Sequence, residues 1–137
     1  MDEVTVRRGY NHNTISWDEA FKNLNDSIDR KIMIKHFDGF FVAHRAEKIS
    51  VVQDVLNDLE CKIAHLYIGI VAENPGFGNH RDDVDVWFWQ NKGVTRWNVN
   101  NGDNYILNEG DLIYIPKGVD HNVSSIVARF GISMSRE

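Results

Sequence analysis

Two segments of the chain carry histidine and aspartate at spacings that suit metal binding. His80 and Asp82 stand two residues apart where a strand is predicted to begin, in the run HRDDVDVWFWQ. Side chains i and i+2 of a strand point to the same side of a sheet, so this spacing brings an imidazole and a carboxylate together. His121 ends the run GDLIYIPKGVDH and supplies a third ligand if its strand lies across from His80. Such a set predicts a divalent transition-metal site whose open positions can take substrate and oxygen.

The elements that must position these residues are predominantly strands. From residue 62 onward, short apolar runs such as VDVWFWQ and VTRWNV alternate with the turn sequences NKG, NNGDN and NEG. This alternation is typical of an antiparallel sandwich or barrel. The first part of the chain predicts helices over residues 16–29 and 47–59 and strands over residues 31–37 and 40–43. We therefore predict one mainly β domain over residues 1–137, with a helical and strand preface (1–60) and a metal-binding barrel core (61–137).

Residues 110–121 resemble the second sequence motif of the cupins, G-x-x-x-x-x-P-x-G-x-x-H. Gly110, Pro116, Gly118 and His121 all match it in register. The segment HRDDVDVWFWQNKGVTRW also resembles the JmjC-like cupins, which include ribosomal oxygenases and asparaginyl hydroxylases. The positions in step with that pattern after the His-x-Asp pair are Asp85, Gln90, Gly93, Arg96 and Trp97.

This resemblance, which spans residues 62–135, implies a fold and a set of cofactors. The fold is the cupin barrel, a double-stranded β-helix or jelly roll. The cofactors are Fe(II) as the metal and 2-oxoglutarate as the cosubstrate. In this sequence His80, Asp82 and His121 take the positions of the metal ligands, which form the catalytic centre of the family.

Three further residues are candidates for binding the cosubstrate. In the JmjC-like family a Lys or Arg after the Gly turn pairs with its distal carboxylate, and here that position is Thr95, which carries no charge. Arg129, eight residues after His121, offers a replacement that resembles prolyl-hydroxylase-type oxygenases, provided that strand parity is kept between them. A buried guanidinium fits a planar carboxylate bidentately, although a structural Asp or Glu would satisfy it as well. Thr95 can add a hydroxyl hydrogen bond, and Tyr67 can line the same wall.

Three functional hypotheses follow from this site. The first is an Fe(II)- and 2-oxoglutarate-dependent oxygenase, a hydroxylase of a protein or small-molecule substrate. The second is a metal-dependent cupin that works without 2-oxoglutarate, as another dioxygenase or an isomerase, and the uncharged Thr95 favours it. The third is a non-catalytic cupin that binds a small ligand or a partner protein.

Composition limits the other classes of function. The 137 residues carry a formal net charge of −5 with Lys and Arg scattered along the chain, which argues against nucleic acid as a partner. No apolar run approaches the ~20 residues of a membrane helix, and the first residues hold no signal-peptide core. The single cysteine fits a reducing compartment, so we predict a cytoplasmic protein.

Trp87 and Trp89 alternate with Val86 and Phe88, so their strand is apolar on both faces. If Val86 and Phe88 face the barrel interior, both tryptophans point outward and must be covered. The N-terminal helices or the second subunit of a homodimer would cover them.

Overall fold

A computed structural model describes residues 3–29, 34–37, 39–70, 78–100 and 102–137. Helix α1 spans Trp17–Asp29, a short 3-10 helix spans Ala46–Lys48, and helix α2 spans Ser50–Leu59. The strands are β1 (Thr5–Arg7), β2 (Ile34–Phe37), β3 (Phe40–His44), β4 (Ile63–Gly69), β5 (Val86–Lys92), β6 (Thr95–Val99), β7 (Asp103–Leu107), β8 (Leu112–Ile115), β9 (His121–Ser125) and β10 (Arg129–Ser135).

The strands form two antiparallel sheets. The larger sheet has the order β1-β8-β5-β10-β4-β3-β2, and the smaller one has the order β7-β6-β9. An apolar cluster between them draws residues from both sheets, including Phe88, Ile113 and Ile115 from the larger and Trp97, Val99 and Leu107 from the smaller. The inner faces of the two sheets thus form the walls of one barrel-like core.

A second core lies on the outer face of the large sheet. Helices α1 and α2 cover this face, with Ala20, Leu24, Val52 and Leu56 packed in one cluster with Trp87 and Trp89. Trp89 is fully buried and Trp87 is 9% exposed. Both tryptophans are therefore buried within this one chain, with Trp87 lying against the Tyr114 ring and under Arg136, and their burial does not require a second subunit.

The helices match their predicted positions closely. Ser16 caps α1, because its Oγ accepts a hydrogen bond from the backbone N–H of Glu19 at 3.1 Å. The helix predicted over residues 47–59 is divided at Ile49, whose extended backbone separates the 3-10 helix from α2. Of the strand predicted over residues 31–37, residues 34–37 form β2, and residues 31–33 lie outside the described part of the chain.

Two features of the strands differ from the sequence-based expectation. The first residues contribute β1, which pairs with β8 at the edge of the large sheet and which no pattern predicted. The segment after His121 forms two strands, and these belong to different sheets, since β9 pairs with β6 whereas β10 lies between β4 and β5. No single continuous strand joins His121 and Arg129. Whether their side chains face the same side is therefore determined by the tertiary fold.

Candidate metal and anion site

The two predicted ligand segments are joined through their backbones. His80 and His121 form an isolated antiparallel bridge, with N–H to carbonyl distances of 2.9 and 2.8 Å in the two directions. The carbonyl of Asp82 accepts a hydrogen bond of 3.0 Å from the N–H of Gly118, in the turn before His121. Gly118 has a φ of +81°, a conformation that favours glycine. The Pro-x-Gly turn thus aligns His121 with the His-x-Asp pair.

Both histidines are held in the tautomer that suits metal binding. The Nδ1 atoms of His80 and His121 each lie 3.0 Å from a backbone carbonyl, of Gly78 and Val119 respectively. A carbonyl only accepts hydrogen bonds, so each Nδ1 must carry the proton. The Nε2 lone pair of each ring is then the ligand, and the carbonyls fix the ring orientation as the outer partners of metal-bound histidines commonly do.

Asp82 completes the cluster. Its carboxylate oxygens lie 4.0 Å from His80 Nε2 and 3.3 Å from His121 Nε2. One donor atom from each of the three residues lies within 4.8 Å of the others. Two nitrogens and one oxygen around a common point form the donor set expected of a transition-metal site with open positions.

The pKa values of Asp82 and His121 each depend on the contact between the two side chains. The hydrogen bond from His121 lowers the pKa of Asp82, against the opposing effect of burial. Burial opposes protonation of His121, but its hydrogen bonds to Asp82 and to the Val119 carbonyl outweigh this and raise its pKa. A proton on His121 Nε2 would occupy the place where a cation would bind, so metal and proton compete for this atom.

A cavity inside the barrel connects the triad to two of the three cosubstrate candidates, Tyr67 and Arg129. The empty space within it, which includes the open mouth, is about 420 Å³. Its walls are mainly aromatic and aliphatic, with a few polar groups; they comprise Phe40, Tyr67, His80, Asp82, Val86, Phe88, Trp97, His121, Val123, Arg129 and Ser133.

Arg129 is a buried cation with no carboxylate partner among the residues that the structure describes. Its side chain is 1% exposed, its Nε donates a 2.9 Å hydrogen bond to Ser125 Oγ, and its guanidinium carbon lies 4.8 Å from the centre of the Phe40 ring. Its Nη1 is buried and donates no hydrogen bond to any described residue. Among the ion pairs found within the described residues, none includes Arg129. An unpaired buried charge is costly, so this group calls for an anion in the cavity.

The charge on Arg129 persists despite its burial. Loss of solvation lowers the pKa of Arg129 to about 10, which leaves the guanidinium protonated at neutral pH. Burial also raises the pKa of Tyr67, whose ring packs against Phe40 and Phe88 in the same wall. Tyr67 therefore presents a neutral phenol to the cavity beside a permanent positive charge.

Thr95 is placed differently from the other candidates. It is fully buried and is absent from the cavity lining. Its hydroxyl donates to Gln90 Oε1 at 2.9 Å and accepts a 3.0 Å hydrogen bond from Trp97 Nε1. The Trp97 ring in turn stacks on the His121 imidazole, at 6.0 Å between centroids and 19° between planes. Thr95 is thus connected through Trp97 to the candidate ligand His121, and its hydroxyl is already engaged within the protein.

Phe40 and Ser125 are site residues that the sequence did not suggest. Phe40 belongs to β3, within the first sixty residues, yet its ring contacts Arg129 because β3 joins the large sheet beside β4. Ser125 ends β9 of the small sheet and reaches Arg129 across the barrel. No local pattern marks either residue, although the preface clearly builds part of the barrel wall.

The fold is shared with several solved structures. The ribosomal oxygenase YcfD of Escherichia coli, solved with cobalt and 2-oxoglutarate, superposes with a TM-score of 0.73 at 17% identity, over 98% of this chain and 48% of that one. Salicylate 1,2-dioxygenase from Pseudoaminobacter salicylatoxidans gives 0.61 at 12% identity, over 89% and 32% of the two chains. KdgF from a Halomonas species gives 0.55 at 12% identity, over 80% and 93%.

These similarities confirm the predicted cupin fold. This chain spans about half the length of the YcfD chain. No protein-family model and no curated protein matches its sequence. Within the described residues, no helix has the length and apolarity needed to cross a membrane.

Proposed function

We propose that this chain is the catalytic barrel of an Fe(II)- and 2-oxoglutarate-dependent oxygenase that hydroxylates a protein or small-molecule substrate. The observation that carries the proposal is a single cavity that holds both the His80, Asp82 and His121 triad and the buried guanidinium of Arg129, whose Nη1 has no hydrogen-bond partner in the described part of the chain. A 2-oxo dicarboxylic acid matches both features, because one end chelates a metal and the other end carries a carboxylate. The cobalt and 2-oxoglutarate complex of YcfD, which shares the fold, supports the same assignment.

The donor set fits the proposed metal. Imidazole nitrogen and carboxylate oxygen, without thiolate, form the two-histidine, one-carboxylate set of non-heme Fe(II) oxygenases. His121 is 3% exposed, whereas the side chains of His80 and Asp82 are about one-third exposed. The triad can therefore be reached by a small molecule from the cavity mouth.

The protein's own contribution is to bind, orient and exclude water. Arg129, aligned by Ser125 and the Phe40 ring, pairs with the distal carboxylate of the cosubstrate, and Tyr67 lies beside it as a neutral hydrogen-bonding group. The apolar wall around Phe88 and Trp97 keeps the surroundings of the metal dry. When bound, iron and 2-oxoglutarate supply the oxygen activation and the electrons, which is the chemistry of the cofactors rather than of the side chains.

A second candidate function rests on Thr95. Its hydroxyl is committed to Gln90 and Trp97, so the position that carries a basic residue in the JmjC-like family offers no charge here. A metal-dependent cupin that acts without 2-oxoglutarate would need no such charge. In that case Arg129 would bind a carboxylate of the substrate itself.

An anaerobic titration separates the two candidates. We expect Fe(II)-loaded protein to develop the visible charge-transfer band of the metal chelate on addition of 2-oxoglutarate. Arg129→Gln should weaken the apparent affinity at least tenfold, because the bidentate ion pair is lost, and Asp82→Ala should abolish the band. Arg136→Gln is the matched control, since Arg136 also lies over an aromatic ring, at 4.7 Å from Trp87. Metal binding without any band would contradict the 2-oxoglutarate proposal and favour the second candidate.

A further inference from the structure

A second pair of imidazoles faces each other on the large sheet. His44 of β3 and His65 of β4 are direct partners in the antiparallel ladder. Their Nδ1 atoms lie 3.0 Å apart, and the two rings are nearly perpendicular, with centroids separated by 4.5 Å. Both side chains are half-buried. The sheet therefore holds two nitrogen donors in a fixed, close arrangement.

At this distance the Nδ1–H of one neutral ring donates a hydrogen bond to the Nδ1 lone pair of the other, and a cation bound to both lone pairs would take the place of that proton. Zinc binds imidazole nitrogen at about 2.0–2.1 Å, which places two nitrogens of a tetrahedral site about 3.3 Å apart. The observed 3.0 Å is therefore within a few tenths of an ångström of a chelating geometry. A small rotation of either ring would admit a cation in place of the proton.

The pair is separate from the triad but lies next to the cavity. Alternation along β4 places His65 on the same face as Tyr67, which lines the cavity. Across the adjoining ladder His65 is the partner of Ser133 on β10, and Ser133 also lines the cavity. The two histidines thus lie on the inner face of the large sheet, farther along the same two strands that contribute Phe40 and Tyr67 to the cavity wall.

We propose that His44 and His65 form a second metal site, which takes a borderline divalent cation such as Zn²⁺ or Cu²⁺ with solvent completing its coordination. Imidazole is a favoured ligand for both ions, and two ligands on adjacent strands are already held together by the sheet. The proposal does not depend on the oxygenase assignment, because it uses none of the residues of the triad.

The test is the zinc stoichiometry of the full chain, measured by equilibrium dialysis followed by metal analysis. The wild-type protein should bind two equivalents of Zn²⁺, and the variant H80Q/D82N, which disables the triad, should bind one. Adding His65→Gln to that variant should remove the remaining equivalent, and adding His44→Gln instead should do the same. Adding His12→Gln, which removes an exposed histidine elsewhere, should leave one equivalent bound.

Circular dichroism of each variant verifies that it remains folded. A Cu²⁺ spectrum of H80Q/D82N provides a second measurement, because electron paramagnetic resonance should show two imidazole nitrogens bound to the ion. The proposal is overturned if H80Q/D82N binds no metal, or if its bound metal survives both histidine substitutions. A wild-type protein that binds one equivalent, lost in H80Q/D82N, would also overturn it while leaving the triad intact as a metal site.

Discussion

At the scale of single residues, Gly69 decides how much room the anion site has. It is the ladder partner of Arg129. A Cβ built on Gly69 would lie 2.6 Å from Ser125 Oγ and 3.1 Å from Arg129 Nε, so any larger side chain must displace this pair. The glycine is thus needed for space, and its backbone conformation is one that other residues also adopt.

Gly69→Ala should therefore weaken cosubstrate binding without removing the metal. We expect the apparent affinity for 2-oxoglutarate to fall about tenfold or more in the anaerobic titration, while metal content stays at the wild-type level. Gly102→Ala is the matched control, because a Cβ there meets only the carbonyl of Asn100, at 3.8 Å. Unchanged affinity in Gly69→Ala would show that Arg129 and Ser125 do not hold the ligand.

At the scale of elements, Asp111 fastens the end of β1 to the turn before β8. Its carboxylate accepts hydrogen bonds of 2.9 Å from the N–H groups of both Gly9 and Asn108, and it pairs with Arg8 at 2.8 Å. Burial alone would raise the pKa of Asp111, but these hydrogen bonds and the charge of Arg8 lower it below the ordinary value. The edge strand is thus attached through one ionised side chain.

Asp111→Asn should destabilise the fold in a pH-dependent way. The side-chain NH2 of the new Asn would face one of the two backbone N–H groups, and neither of these two donors could accept a hydrogen bond from the other. We therefore expect a loss of about 1–3 kcal/mol in the free energy of unfolding at pH 7. Because the pKa of Asp111 is depressed in the folded state, its contribution is present above the unfolded pKa of about 3.9 and is lost as the pH falls through the folded value. Urea unfolding at pH 7 and pH 3 should show the difference between wild type and variant shrinking in acid. A difference independent of pH would contradict this.

At the scale of the whole molecule, the triad links the two sheets. His80 and Asp82 precede β5 of the large sheet, whereas His121 begins β9 of the small one.

A ligand that binds only the folded state stabilises it by about 2.7 kcal/mol at one hundred times its dissociation constant. Saturation with Mn²⁺ should therefore raise the unfolding temperature of the wild type, measured calorimetrically. Asp82→Ala should lose most of that rise, and an equal rise in both proteins would place the stabilising ion outside the triad.

The features that depend on local spacing could be predicted from the sequence alone. Helix α1 and its Ser16 cap, the succession of short strands, and the meeting of His80, Asp82 and His121 all follow from periodicity, from turn residues and from the cupin motifs. These patterns are local because strand alternation and helix capping involve residues only two to four positions apart.

The contacts between distant segments of the chain were evident only from the tertiary structure. Arg129 lies in the cavity because the chain passes from the small sheet to the large one between β9 and β10, and Phe40 reaches it because β3 joins β4. The hydroxyl of Thr95 is occupied by Gln90 and Trp97, and Trp87 and Trp89 are buried in one cluster with residues of both helices. Each of these outcomes depends on which elements become neighbours, and that choice is made by the burial of the whole core rather than by any local pattern.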